Sequence, residues 1–209
     1  MITQHEQLMA LWGSPSERAV RKQLQVLDGH AQRFIASSPL CVLASVGTAG
    51  ADASPRGGAP GFVKVADEQT LLIPEVVGNR RLDSLHNLLD DPRIGLLFLV
   101  PGTDETLRVN GRACVRDEAD LLARFDAERQ RPRVVVEVRV QEVYLHCAKA
   151  FMRSQLWEPA QWSPRSALPT MGEMLHFQLG LPGEPESQTE MRARYQAQLD
   201  AETRPSNAQ

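Results

Sequence analysis

The sequence predicts an α+β fold, mainly β with flanking helices, in which the strands close as an antiparallel barrel. Three observations carry this. Between residues 40 and 146, apolar residues alternate or form short runs, and Gly, Pro, Asn and Asp clusters separate them. These runs fall in hairpin pairs, not in strict β-α-β alternation, which favours an antiparallel barrel over a doubly wound parallel sheet. The flanking regions carry helical spacing or proline-interrupted sequence instead.

The elements follow in chain order. Residues 15–36 read as one helix: Pro15 suits a first turn, and Leu24, Leu27, Ala31, Phe34 and Ile35 recur at helical spacing. Leu40–Val46 reads as a strand closed by the turn Gly47-Thr48-Ala49-Gly50, and Ala51–Gly61 (ADASPRGGAPG) as a loop or broken strand edge. Phe62–Ala66 and Thr70–Ile73 form one hairpin, and Ile94–Val100 and Thr106–Val115 a second. Between them a helix places Leu82, Leu85, Leu88 and Leu89 on one face until Pro92 stops it. Another helix is expected from Asp117 to about Arg129, with Leu121, Leu122 and Phe125 inward. In Arg133–His146, Val134, Val136, Val138 and Val140 share one parity while Val143 and Leu145 take the other. Both sets face the core only if a β-bulge lies near Gln141-Glu142. Beyond Cys147 the chain is read as helical or irregular, with a polar helix from about Ser187 running into a disordered end. The organisation is thus an N-terminal helical extension (1–36), a barrel (37–160) and a C-terminal helical or irregular extension with a polar tail (161–209).

Composition narrows the function classes. A chain of 209 residues with 42% hydrophobic and 23% charged residues buries a core without disulfide staples. A net charge of −3 argues against a general nucleic-acid or anionic-membrane surface, so any anion site is local. Cys41, Cys114 and Cys147 are odd in number and far apart, which gives no disulfide framework and no zinc knuckle and suits a reducing cytoplasm. The N-terminus has no signal-peptide pattern, and no stretch reaches the ~18 apolar residues of a membrane span. A soluble cytoplasmic protein is expected. The five histidines lack metal-site spacing, and no nucleophile elbow or catalytic carboxylate pair stands out, so no metal ligand and no catalytic residue is assigned.

Four clusters remain. In Gly78-Asn79-Arg80-Arg81, Asn79 reads as the N-cap of the following helix. Two cations in a first turn oppose the helix dipole, and a bound phosphate resolves the conflict. The competing reading makes Arg80 and Arg81 solvated residues paired with Glu75 or Asp83. The loop Ser54–Gly61, followed by Phe62-Val63-Lys64, lets backbone approach a flat ligand, or is an ordinary edge loop. Arg108 and Arg112 share parity and face a ligand or solvent. Lys149 and Arg153 share a helical face with Trp157 one turn on, which suits an anionic planar ligand, or Trp157 is a core residue beside solvated charges.

The succession SPRGGAPGFVKV, TLLIPEVVGNRRLDSLHNLLDDPRIGLLFLVPG, ETLRVNGRA and HCAKAFMRSQLW resembles the FMN-binding proteins related to pyridoxamine 5′-phosphate oxidase, over about residues 35–160. The nearest likeness is to a bacterial subgroup of uncharacterised members. The resemblance implies an FMN-binding split β-barrel, dimeric, with FMN at the subunit interface. Arg80 and Arg81 match the basic pair on the FMN phosphate. Phe62, Val63 and Lys64 match the flavin-contacting strand, and Ile73 and Pro74 the segment beside the ring or ribityl chain. Thr106 stands where the oxidases have a flavin-contacting glutamine. Lys149, Arg153, Ser154 and Trp157 fit the subgroup pattern. Asn79 and Arg108 complete the candidate cofactor-binding set. The C-terminal substrate-binding segment of the oxidases has no counterpart, so pyridoxamine phosphate is not the expected substrate. The reading is a homodimeric FMN-dependent oxidoreductase acting on a small molecule, with substrate over the flavin near Arg56, Arg108 or Trp157. Its alternative is a non-catalytic split barrel holding flavin, haem or deazaflavin. With 5% aromatics and an acidic balance, an oligonucleotide-binding barrel does not fit.

Overall fold

A computed structural model of the chain describes residues 1–128 and 131–202. Seven strands are β1 (Leu40–Gly47), β2 (Gly50–Gly57), β3 (Lys64–Asp67), β4 (Thr70–Glu75), β5 (Arg93–Leu99), β6 (Thr106–Arg116) and β7 (Val134–His146). They form one antiparallel sheet in the order β2-β1-β5-β6-β7-β4-β3, as the hairpin pattern requires. The sheet curls until edge strand β2 approaches the end of β4. Arg56, on edge strand β2, pairs with Glu75 at the end of β4 (Nε to Oε1 2.5 Å), closing by side chains a gap that backbone hydrogen bonds leave open. This is a split β-barrel.

Alternation sets what the barrel buries. Cys41 and Leu43 of β1, Ile94, Leu96 and Phe98 of β5, and Leu107 and Val109 of β6 point inward with Val136, Val138, Val140 and Val143 of β7. Helix α3 (Gly29–Ser37) plugs this interior with Ala31 and Ile35, beside Leu27. A smaller cluster lies outside the sheet, where Phe125 covers Leu72 and Val135. Because β4 is covered on both faces, Leu71, Leu72 and Ile73 are all buried, which accounts for an unbroken apolar run in a sheet that elsewhere alternates.

The bulge is present. Asn110 faces Glu142 but Gly111 faces Val140, so Gln141 is the extra residue and Val143 returns to the core. At Gly111 a Cβ would overlap the Arg139 carbonyl, so only glycine fits opposite the bulge. Leu145, also expected inward, is exposed at the strand's end.

Helices α1 (His5–Trp12), α2 (Glu17–Arg21), α4 (Asp83–Asp90), α5 (Ala119–Ala123), α6 (Lys149–Ser154), α7 (Met171–Leu179) and α8 (Gln188–Glu202) complete the fold. Several differ from expectation. The single helix over 15–36 is two, α2 and α3. Leu24 between them pairs its backbone with Val143 in both directions (2.9 Å each), and Asp28 starts α3 by accepting from the Ala31 amide (2.8 Å). Ala51–Gly61 is a regular strand as far as Gly57. Pro55 fits there because β2 is an edge. Around α4, Leu82 and Leu89 are exposed, and the buried face is Ser84, Asn87 and Leu88. That face is polar because Asn87 donates to Ser45 Oγ of β1 (3.1 Å). Helix α5 ends at Ala123 and continues as turns through Phe125; Arg129 lies outside the described residues, as does the disordered end expected after α8.

Candidate functional site

One trough runs along the split in the barrel. Its polar half is a cleft of about 390 Å³ between three walls. The first is the inner face of β2, whose alternate residues Asp52, Ser54 and Arg56 point in. The second is the end of β4, Pro74 and Glu75, continuing to Val76. The third is the segment 78–85, the loop leading into α4. A second cleft, also about 390 Å³, continues past Gly57, Phe62, Pro74 and Val76, which line both. This half is apolar: Phe125 and Leu199 join Phe62 and Pro74, with Gly58 and Ala59 beside them and the Glu128 carboxylate at the rim. Gly58 is required because a Cβ there would overlap Phe62.

In the polar half, three arginines face three carboxylates. Arg56 is held on several sides. Besides Glu75, it donates to Ser54 Oγ (2.6 Å) and the Pro55 carbonyl (3.1 Å), and its side chain is 17% exposed against 12% for Glu75. Arg81 donates to Asp83 (2.7 Å), whose hydrogen bond raises the guanidinium above its usual range, yet its side chain stays 73% exposed. Arg80 forms no ion pair among the described residues. Ser84 Oγ donates to Asp52 (3.3 Å), tying α4 to β2.

Asn79 is not the N-cap. Its Oδ1 accepts from the Arg81 amide (3.0 Å), closing a turn before the helix. The cap position falls on Leu82, left-handed at φ 58° and without a capping side chain; Arg80 is also left-handed, at φ 61°. Both arginines therefore precede α4, whose first turn has no side-chain cap and whose residues Asp83, Ser84 and Leu85 line the cleft.

The structure gathers Phe62, Pro74, Asn79, Arg80 and Arg81 in the trough. Ile73 and Val63 are buried in the core behind it. Lys64 lies beside α3, and its ammonium pairs with Glu128 of the apolar rim. The remaining candidates do not line the trough of their own chain. Thr106 is buried opposite His146. Arg108 projects from the outer face of the sheet and lies over the Tyr144 ring, 5.2 Å from its centroid. Lys149 and Arg153 lie on α6, where Ser154 Oγ donates to the Phe151 carbonyl (3.0 Å). Trp157 is not a further turn of that helix, because Gln155 is left-handed and ends it. The indole stacks on Phe151 and donates to the Thr103 carbonyl (2.9 Å).

Sequence reasoning missed Asp52, Glu75, Val76, Phe125 and Leu199 as lining residues. Asp52, Ser54 and Arg56 do carry a period-two signal, but it is hidden among Pro and Gly. Leu199 is a long-range neighbour that no local pattern reveals. Among the described residues no group of three His, Cys, Asp or Glu side chains could hold a metal ion, and no helix is long and apolar enough to cross a membrane.

The profile of the pyridoxamine 5′-phosphate oxidase family matches residues 27–147, which span every strand and α4. The chain belongs to this family, whose members commonly bind flavin. Solved structures similar to it include HupZ of Group A Streptococcus, at 16% identity over 57% of this chain and 99% of that one, with a TM-score of 0.48. A provisional pyridoxamine 5′-phosphate oxidase of Lactobacillus delbrueckii gives 23% identity over 59% and 98%, with a TM-score of 0.45. A NimC/NimA family protein of Clostridium acetobutylicum gives 10% identity over 56% and 91%, with a TM-score of 0.37. Likenesses at this level speak to no activity. Comparison with curated proteins gives no match.

Proposed function

We propose that the chain binds FMN in the trough and works as a homodimeric, cytoplasmic FMN-dependent oxidoreductase on a small molecule. The observation that carries this is the polarity gradient of the trough, cationic and amide-rich at one end and apolar at the other. FMN has the same gradient, from phosphate dianion to flat ring system. The donor set fits the phosphate end: among the described residues Arg80 has no ion pair, Arg81 is largely exposed, and α4 has no side-chain cap. Among the described residues of one chain, the lining offers Arg, Asn, backbone amides and apolar side chains, a set suited to a phosphate and a flat ring system.

When bound, FMN supplies the hydride or electron transfer, and the protein supplies binding, orientation and electrostatics. Arg80 and Arg81 grip the phosphate. Glu75 and Ser54 fix the Arg56 guanidinium in the polar half, where it would orient a polar edge of the ligand. Phe62, Pro74, Val76 and Phe125 exclude water from the apolar half.

The homodimer reading has its own support. The outer face of β2, β1 and β5 carries cross-strand rows Pro55–Val42–Leu97 and Ala53–Ala44–Gly95, apolar and at least partly exposed. In a dimer the outward residues Arg108, Lys149, Arg153, Ser154 and Trp157 are available to the trough of the second copy. The test is the absorbance spectrum of the purified protein, then release and mass measurement of its cofactor, then bleaching by a reduced nicotinamide. A colourless protein that takes up no added FMN overturns the reading.

A further inference from the structure

Between Trp157 and Leu199, both of which touch the barrel, lies a segment with few contacts to it. Helix α7 packs against α8 and makes no comparable contact with another element. Its ends are nonetheless well specified. Thr170 and Glu173 form a reciprocal capping box (Oγ1 accepting at 3.1 Å, Oε2 accepting at 2.6 Å), and Gly180 closes the helix at φ 58°. Tyr195 to Met171 (3.3 Å) fastens α8 alongside, and Arg194 to Glu186 (2.8 Å) braces the turn before it.

What this hairpin presents outward is apolar. Trp162, Leu168, Phe177, Leu179 and Leu181 are 49–87% exposed, with Phe177 the most. A nine-residue helix is too short to persist in water on its own, and an apolar helix without cover is out of place on a monomer. A membrane surface is a poor occupant, since α7 carries no Lys or Arg to meet anionic headgroups.

The chain itself carries a matching surface. The outer face of β2, β1 and β5 is made of small or branched apolar residues that stay at least partly exposed among the described residues. A two-fold dimer uses such a pair twice, each copy offering its arm and receiving the other's. The five exposed side chains amount to on the order of 500 Å² per arm. Two arms, with the faces they cover, reach the standard interface of about 1,600 Å² in total.

We propose that residues 162–181 form an exchange arm that packs onto the apolar outer face of β2, β1 and β5 of a second copy of this chain. The proposal rests on the homodimer reading and is independent of the FMN reading. The test measures the dimer dissociation constant by sedimentation for wild type, Phe177→Glu, Leu179→Glu, Val42→Lys and Phe177→Glu/Val42→Lys, with circular dichroism to verify folding. Each single variant should raise the constant about ten- to a hundredfold. The double variant should lose much less than the product of the singles, because both act on one contact. Unchanged constants in Phe177→Glu and Leu179→Glu overturn the arm. Fully multiplicative losses overturn the docking surface. A monomeric wild type overturns the arm and the homodimer together, whereas a dimer that binds no FMN leaves the arm standing and removes only the cofactor reading.

Discussion

The Arg56–Glu75 pair is the place where the split in the barrel is closed by side chains, and its worth can be estimated. Breaking a fully buried pair by removing one partner costs roughly 3–5 kcal/mol, because the other charge stays uncompensated. Here the side chains are 17% and 12% exposed, and Arg56 keeps Ser54 Oγ and the Pro55 carbonyl as acceptors. Glu75→Gln should therefore cost about 2–3 kcal/mol. Replacing both residues by apolar ones of similar size, Arg56→Met/Glu75→Leu, should cost no more than about 1 kcal/mol, since the desolvation penalty goes with the charges. The cycle Arg56→Met, Glu75→Leu and the double variant should then show a coupling of about 3 kcal/mol or more. Urea unfolding at neutral pH with constant m reads these values. Additive losses, or a Glu75→Gln cost below about 0.5 kcal/mol, would refute a pair that clasps the barrel. Because both residues line the polar half, Glu75→Gln should also tighten FMN binding a few-fold and Arg56→Met weaken it.

Arg81→Ala should weaken FMN binding about ten- to a hundredfold and riboflavin binding much less, as paired titrations of apo-protein would read. Its effect on apo melting should be small, because the side chain and its Asp83 partner are exposed. Cys41 should resist native alkylation while the exposed Cys114 and Cys147 react, as mass spectrometry of labelled protein can count. Burial pushes the Cys41 thiol from 9.0 to about 12, with Arg56 pulling it down and Glu75 raising it. The native state thus keeps a proton that the unfolded chain loses above pH 9.0. Stability should fall by up to about 1.4 kcal/mol per pH unit from there towards pH 12, relative to Cys41→Val in the same urea series. Gly111→Ala should cost about 1–3 kcal/mol or more by thermal melting, since its Cβ would meet backbone of Arg139 and Val140 that the bulge fixes in place.

How much of this was legible follows from what local pattern encodes. The bulge was readable because parity changes once between Val140 and Val143, and a strand with one buried face admits no other reconciliation. The hairpins were readable for the same reason. The helix over 15–36 was misread because Leu24 has helical spacing to Leu27 and Ala31, while the winning interaction is a backbone pair with Val143, far away in sequence. The leucines of α4 misled in a similar way: its buried face is decided by Ser45 of β1, whose hydroxyl makes Asn87 a core residue and leaves Leu89 outside. Within the site, the Asn79–Arg81 cluster could be found because two cations beside a helix start conflict with its dipole. The apolar half could not, since Phe62, Phe125 and Leu199 come from three separate regions.

A barrel left open keeps two strand edges, and β2 is the exposed one of consequence. It runs eight residues with a neighbour on one side only, a template on which foreign strands could assemble into aggregates. Pro55 withholds a backbone donor, and the inward Asp52 and Arg56 put charge where a stacked β-layer would have to be dry. The residues that line the trough thus double as gatekeepers against polymerisation. Neutralising both Asp52 and Arg56 should shorten the lag time of thioflavin-positive aggregation, even under conditions where the fold survives.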